Sequence, residues 1–434
     1  MAQCRKIVVV GAGAAGMLAA GRAAALGADV VLLERMRQVG RKIRISGKGR
    51  CNITNTLAAG EFIKHFGKGG RFLRQSFARF FSDDLLELLH SENLPTKIER
   101  GGRVFPQSDS AVDVARTIEQ WVEKQGVEII RGVRVRGIDV TDGCISGLHY
   151  DLFSEDGTKG SGGLRGSHEI EAAVILLATG GMSYSSTGSS GDGYRLAGDL
   201  GHKIIKPRPS LVPLCAPGAP PPGVRRLALR NIEATLWIEG KLARREFGDI
   251  TFIETGLSGP IILELSRIAV KALDEGKHLE LAIDLKPALD HKKLDARLIR
   301  DLENREIPTW RNLLDGLLPQ NLIPVAVAAV GAPEDTPCHQ INGKQRKALL
   351  KFLKDYRFKL SGYGSFKEAI VTAGGVDTSE VDPRTMESKL VPGLHIIGEL
   401  LNVDADTGGF NMMGSFSTGW VGGEAAARSL HPEA

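Results

Sequence analysis

Residues 6–34, KIVVVGAGAAGMLAAGRAAALGADVVLLE, decide the fold. Ile7 to Val10 form a wholly apolar run, the mark of a parallel strand buried on both faces, and the run enters Gly11, Gly13 and Gly16 in the spacing G-x-G-x-x-G. The Ala-rich stretch Ala14 to Leu26 predicts a helix. Gly27 stops it before a second apolar strand, Val30 to Leu33, which ends on Glu34. This is a βαβ unit with a dinucleotide-binding turn. Gly11 permits the turn, Gly13 leaves room for a pyrophosphate to approach the backbone, and Gly16 lets helix and strand pack closely. The first helical amides, at Ala14 and Ala15, and the positive end of the helix dipole then face the phosphates. Glu34 at the strand tip can accept from both ribose hydroxyls of an adenosine and would repel a 2′-phosphate. That favours FAD or NAD over NADP at this site.

The next stretch, residues 35–56 (RMRQVGRKIRISGKGRCNITNT), is too rich in glycine and charge for a regular element, so a long functional loop running along the cofactor is expected. Arg35 adjoins the ribose-binding acid, Arg41 and Lys42 can reach the pyrophosphate, and Ser46, Gly47, Arg50, Cys51 and Asn52 lie toward the reactive ring. A thiol flanked by Arg50 is expected to have a lowered pKa and to exchange a proton. Cys51, Arg50 and Ser46 are therefore the candidate catalytic residues.

Further along, residues 62–93 have helical periodicity in two pieces, with Ser82 as a predicted N-cap. Residues 97–106 read as a strand pair turning at Gly101-Gly102, 109–125 as a helix, and 127–150 as strands. Residues 154–170 read as a flexible hairpin excursion. The apolar run Ala172 to Ala178 returns to the first fold and ends on Thr179 and Gly180, which join the cofactor contacts. Gly188, Gly191 and Gly193 follow no strand, so a second dinucleotide unit is not expected.

A proline-rich crossing at 207–222 leads to alternating strands at 231–254, a helix over 256–273 with Pro260 in its first turn, a strand at 278–285 and a helical run over 286–354. Near the end, a short strand, Leu394 to Ile397, reaches Gly398-Glu399. A turn carrying Asp404, Gly408, Gly409 and Asn411 leads into a small-residue helix from about Ser415 to Leu430. These residues suit a flavin whose ribityl-phosphate arm meets Gly398-Glu399 and whose ring meets the helix N-terminus.

The composition, 42% hydrophobic and 25% charged, is that of a soluble globular chain of two or three domains. No apolar run reaches membrane-spanning length, and the first strand begins too soon for a signal peptide, so a cytoplasmic protein is expected. The five cysteines are scattered without C-x-x-C spacing, which argues against a metal site. The net charge of +5 is unevenly spread: Arg35 to Phe81 holds twelve Lys and Arg against one acid, Glu61. Such clustering attracts polyanions.

Taken together, GAGAAGMLAA, SGKGRCNITN, ATGG with TGSSGDGY, PSLVPL, TGLSGP, EAIVTAGGV, TMESKLVPGL and GELLNVDADTGGFNMMGSFSTGW resemble the bacterial FAD-binding proteins grouped as BaiN, RdsA or aminoacetone-oxidase-like. The resemblance runs from about Lys6 to about Ala427. It implies an α/β fold with a Rossmann-like FAD-binding domain of the glutathione-reductase type, residues 1–204 and 365–434. This domain is split by an antiparallel β-domain, 205–285 and 355–364, and a small helical subdomain, 286–354. It also implies non-covalent FAD, with NAD(P)H as hydride donor. The family names imply three activities: bile-acid ring reduction, oxidation of a small amine, and reduction of a uridine in large-subunit ribosomal RNA to dihydrouridine. The basic stretches favour ribosomal RNA or its precursor as partner. A small-molecule oxidase or ene-reductase, and a flavin-bearing RNA-binding protein without turnover, are the alternatives.

Overall fold

The computed structural model describes residues 5–153, 163–217 and 223–430. The chain divides into two compact units, Met1–Pro209 with Phe366–Ala434, and Ser210–Ser365. Most of the expected excursion at 154–170 and the end of the proline-rich crossing lie outside the described residues.

In the first unit, the strand Lys6–Val10 is central to a five-stranded parallel sheet. Asp29–Glu34 and then Glu128–Arg131 lie on one side, Val174–Leu177 and then Leu394–Ile396 on the other. Val8 stands opposite both Val31 and Ile175. Ile7, Val8 and Val9 are fully buried, each contributing about 1.5–3 kcal/mol of apolar transfer. The Ala-rich helix is Ala14–Ala25, and Gly27 beyond it is left-handed at φ +86°. A three-stranded antiparallel meander, Val133–Thr141, Cys144–Phe153 and Leu164–Glu171, forms a separate sheet.

Several elements differ from expectation. The stretch after Glu34 is ordered: Gly40, left-handed and donating its N–H to Ala12 O, starts a short helix, Arg41–Ile45, whose Ile43 is buried. A 3-10 turn, Ser46–Gly49, follows. The final helix begins at Gly408, not Ser415, and runs to Leu430. Its glycines are contact points, not helix breakers. A Cβ on Gly419 would lie 2.2 Å from Ala15 O, and one on Gly423 2.2 Å from Ala19 O. The two helices therefore pack backbone to backbone. Ser82, in turn, does not cap its helix: Asp84 accepts from the Phe81 N–H, while the Ser82 hydroxyl is buried against Thr54.

The second unit is built on a seven-stranded sheet. Its order is Tyr356–Leu360, Leu279–Asp284, Ala228–Ile238, Lys241–Ile253, Gly256–Ser258, Leu214–Cys215 and Gly362–Tyr363. The expected helix at 256–273 begins only at Pro260, because Gly256–Ser258 adds a strand first. The helical stretch does not stand apart from the sheet. Trp310, Leu294 and Leu298 share one hydrophobic core with Leu236, Leu281 and Ile283, and Lys354 pairs with Asp284.

Candidate cofactor-binding site

The site grows from the C-terminal ends of the parallel strands in the first unit. Gly11 takes φ +105°, and a Cβ there would stand 2.6 Å from Ala178 O. Gly16 packs closer still, its missing Cβ 1.8 Å from Gly11 O. Gly13 caps the helix and faces open space, with nothing within 4 Å of an added Cβ. The first helical amides, from Ala14 onward, have no acceptor within the helix, so an anion is accommodated in front of them.

Glu34 stands at its strand tip and accepts from the Ala12 N–H (2.8 Å) and the Met36 N–H (2.7 Å). Burial pushes its carboxyl upward, against those two amides and the nearby Arg41 and Arg35. Two amides leave further acceptor positions on the carboxylate for hydroxyl donors. Arg35 itself turns to Ser190 (2.7 Å) and Asp192 (3.0 Å).

Lys42 is held by a network that spans distant parts of the chain. Its ammonium donates to Glu399 Oε2 (2.5 Å) and Ser183 Oγ (2.6 Å). Glu399 Oε1 accepts from Ser183 Oγ (2.9 Å) and the Thr372 N–H (2.8 Å). Thr372 Oγ1 accepts from the amides of Met182 and Ser183. Lys42 thus acts as a tie between the turns that follow three strands, a role that no local spacing announces.

The reading of Cys51 as a proton donor with a lowered pKa is corrected. Cys51 is fully buried at φ +60°, and burial pushes its thiol up to about 12, with only the Ser46 hydrogen bond opposing. Arg50 turns elsewhere: it pairs with Glu99 and Asp109 and lies 4.4 Å over the Phe105 ring. The Ser46 hydroxyl donates to Ile43 O. Among the described residues, the contacts of this trio are to nearby groups, and none of them places a histidine or carboxylate on the thiol.

Other candidates converge. Asn52 Oδ1 and Thr179 Oγ1 are buried without a partner. A Cβ on Gly409 would stand 2.7 Å from Asn52 Nδ2, and one on Gly47 2.9 Å from Asn52 N, so the early turn meets the start of the final helix. Gly180 is left-handed, and its missing Cβ faces Ser189. Gly398, at φ +71°, donates to Thr418 Oγ1 and would carry its Cβ 2.8 Å from that of Ala15. The two ends of the chain thus meet. Asp404 lies in the turn before the final helix, and Gly408 faces open space. Asn411 braces that turn, exchanging bonds with Ala405 and donating to Thr407 O.

Sequence reasoning missed His65, whose ring bonds Asp406 (3.0 Å) and stacks on Phe410 at 3.9 Å. The residues fit FAD. A helix N-terminus with room in front supplies a phosphate seat, an acid supplies a ribose acceptor, and two unpartnered buried oxygens supply acceptors for further donors.

Fold and site together define a Rossmann-type flavoprotein of the oxidoreductase class. The chain belongs to the family described as the HI0933-like protein Rossmann domain, which matches residues 5–425. It is 31% identical over 97% of its length to a 3-dehydro-bile acid delta(4,6)-reductase of Clostridium scindens, covering 99% of that protein. It is 29% identical over 95% of its length to a ribosomal RNA dihydrouridine synthase of Escherichia coli, covering 96% of that protein. Among solved structures, a flavocytochrome c3 fumarate reductase in an open conformation shares the fold at a TM-score of 0.51 and 18% identity, over 99% of this chain and 79% of that one. Among the described residues, no helix is long and apolar enough to cross a membrane.

Proposed function

We propose that the protein is a cytoplasmic reductase with non-covalent FAD that takes hydride from NAD(P)H and reduces a uridine of large-subunit ribosomal RNA to dihydrouridine. FAD, when bound, supplies a two-electron carrier between the nicotinamide and a C=C bond conjugated to a carbonyl. The chain supplies the rest. Gly13 keeps side-chain volume out of the phosphate seat, Glu34 accepts from the ribose, and Asn52 Oδ1 and Thr179 Oγ1 gain the donors they lack. The helix opening at Gly408 sets its positive end against developing negative charge. We assign the proton that follows the hydride to His65, because Asp406 and Phe410 fix its ring at the turn entering that helix, whereas Cys51 is sealed in the core.

The observation that carries the RNA reading is the charge of Arg35 to Phe81, twelve bases against one acid. It is supported by the dihydrouridine synthase name of the Escherichia coli relative. The 31% identity to a bile-acid reductase supports a second reading, a small-molecule enone as acceptor. Nucleoside mass spectrometry separates them. Deleting the gene should remove a two-hydrogen mass increment at one uridine of large-subunit ribosomal RNA, and restoring the gene should return it. An unchanged nucleoside profile would leave the small-molecule reading.

A further inference from the structure

We propose that Lys68, Arg71 and Arg74 form a track for the phosphodiester backbone of RNA beside the cofactor site. The inference rests on the RNA reading above and gives it a location. Half of the twelve bases between Arg35 and Phe81 are already matched by carboxylates. Arg35 meets Asp192, Lys42 meets Glu399, Arg44 meets Glu119, Arg50 meets Glu99 and Asp109, Lys64 meets Glu61, and Arg79 meets Glu424. Most of these acids come from far along the chain, so about half of the basic excess in sequence is matched in space.

Three of the other six are organised in a row. Lys68 lies in the 3-10 turn Gly67–Gly69, and Arg71 and Arg74 lie on the helix Gly70–Arg79 that continues it. All three are exposed, and among the described residues no ion pair or hydrogen bond reaches their side chains. Their three-residue spacing puts them in one row, about 9 Å long at 1.5 Å per residue. The opposite face of the helix, Leu73 and Phe77, is buried. The row therefore cannot roll inward to find acids. Arg79, on the same helix, points to Glu424 and is outside the track.

The row also starts at the site. A Cβ on Gly69 would lie 2.7 Å from Val403 Cγ1, and Asp406 N–H donates to His65 O. The track is thus fastened to the turn that opens the final helix at Gly408. The phosphate seat for the cofactor lies at Gly13, on another helix, so three further cations in a row suit a second, extended anion. A nucleotide unstacked toward the site would leave its neighbouring phosphates to be held in this way.

The test uses FAD-loaded protein and an unmodified transcript of large-subunit ribosomal RNA, with binding measured across a range of salt. Each phosphate contact contributes about 0.7 to the slope of log affinity against log salt for a single strand, so K68Q/R71Q/R74Q together should flatten the slope by about 2. FAD content and melting temperature should be unchanged. Arg195→Gln, which removes a base already paired with Asp199, should leave the slope as it is. If the wild type binds with a steep slope and the triple variant keeps it, the track is wrong and the RNA reading stands. Absence of salt-dependent binding by the wild type overturns both. If polyglutamate binds as steeply and loses the same slope in the triple variant, the row belongs to an acidic protein partner and the proposal fails.

Discussion

A side chain at Gly13 would enter empty space, since nothing lies within 4 Å of its absent Cβ and its φ of −85° suits any residue. Gly13→Val should therefore fold normally and yet lose FAD, because the added methyls occupy the phosphate seat. A folded variant with full flavin absorbance would place the pyrophosphate elsewhere. Gly16 offers the contrast, since its missing Cβ would sit 1.8 Å from Gly11 O and any side chain there attacks the fold itself. Cys51 makes a different point. Its thiol is raised to about 12 by burial, above its unfolded value near 8.5. The folded protein therefore holds this proton more tightly, a contribution fully present below about pH 8.5 and lost as pH rises toward 12. At neutral pH the thiol stays protonated. Cys51→Ala should leave both flavin half-reactions unchanged, whereas His65→Ala should spare flavin reduction by NAD(P)H and slow reoxidation by substrate by about 10²–10⁴-fold, the range for general acid catalysis. Rapid-mixing traces in which both variants match the wild type would remove His65 from the reaction.

At the scale of elements, the contact between Ala14–Ala25 and Gly408–Leu430 joins the two helices whose N-termini are proposed to hold the cofactor. Gly419→Ala would place a methyl against the Ala15 carbonyl, and overpacking of this kind costs about 1–3 kcal/mol. The expected outcome is a lower melting temperature together with weaker FAD binding, because the helix that moves is the one that carries Gly408. Calorimetry showing lost stability but unchanged FAD affinity would uncouple the two ends. The opening βαβ unit was legible because all its determinants are contiguous: apolar run, glycine spacing, Ala-rich helix and acid within 29 residues. The start of the final helix was not. Gly408, Gly409 and Asn411 read as a turn, and the close approach of Gly409 to Asn52, far away in sequence, leaves no local signature. The stretch around Cys51 failed for a related reason. Lys, Arg and Gly suggest solvent, but Ile43 and Cys51 alternate with them and go into the core.

For the whole molecule, separation in sequence sets the limit of legibility. The Lys42–Ser183–Glu399 network joins residues 141 and 357 positions apart, and no local pattern can reveal it. Charge behaves similarly. The count of bases is a property of the sequence, but which of them keep their field depends on acids such as Asp192, Glu399 and Glu424 that arrive from elsewhere. Reading residues 205–285 with 355–364 as a β-domain and 286–354 as a separate helical subdomain follows the change in periodicity, whereas the shared core around Trp310 and Leu281 lies within one compact unit, Ser210–Ser365.

The approach of Gly398 to Ala15 has a consequence for how the protein is made. The partner helix of the nucleotide turn opens about 400 residues after it. At roughly 5–20 residues per second, the first strand waits about 20–80 s before the second half of the flavin seat exists. With the flavin seat as proposed, cofactor loading is a late event in biogenesis, and a nascent chain stalled anywhere before Gly408 emerges should be colourless.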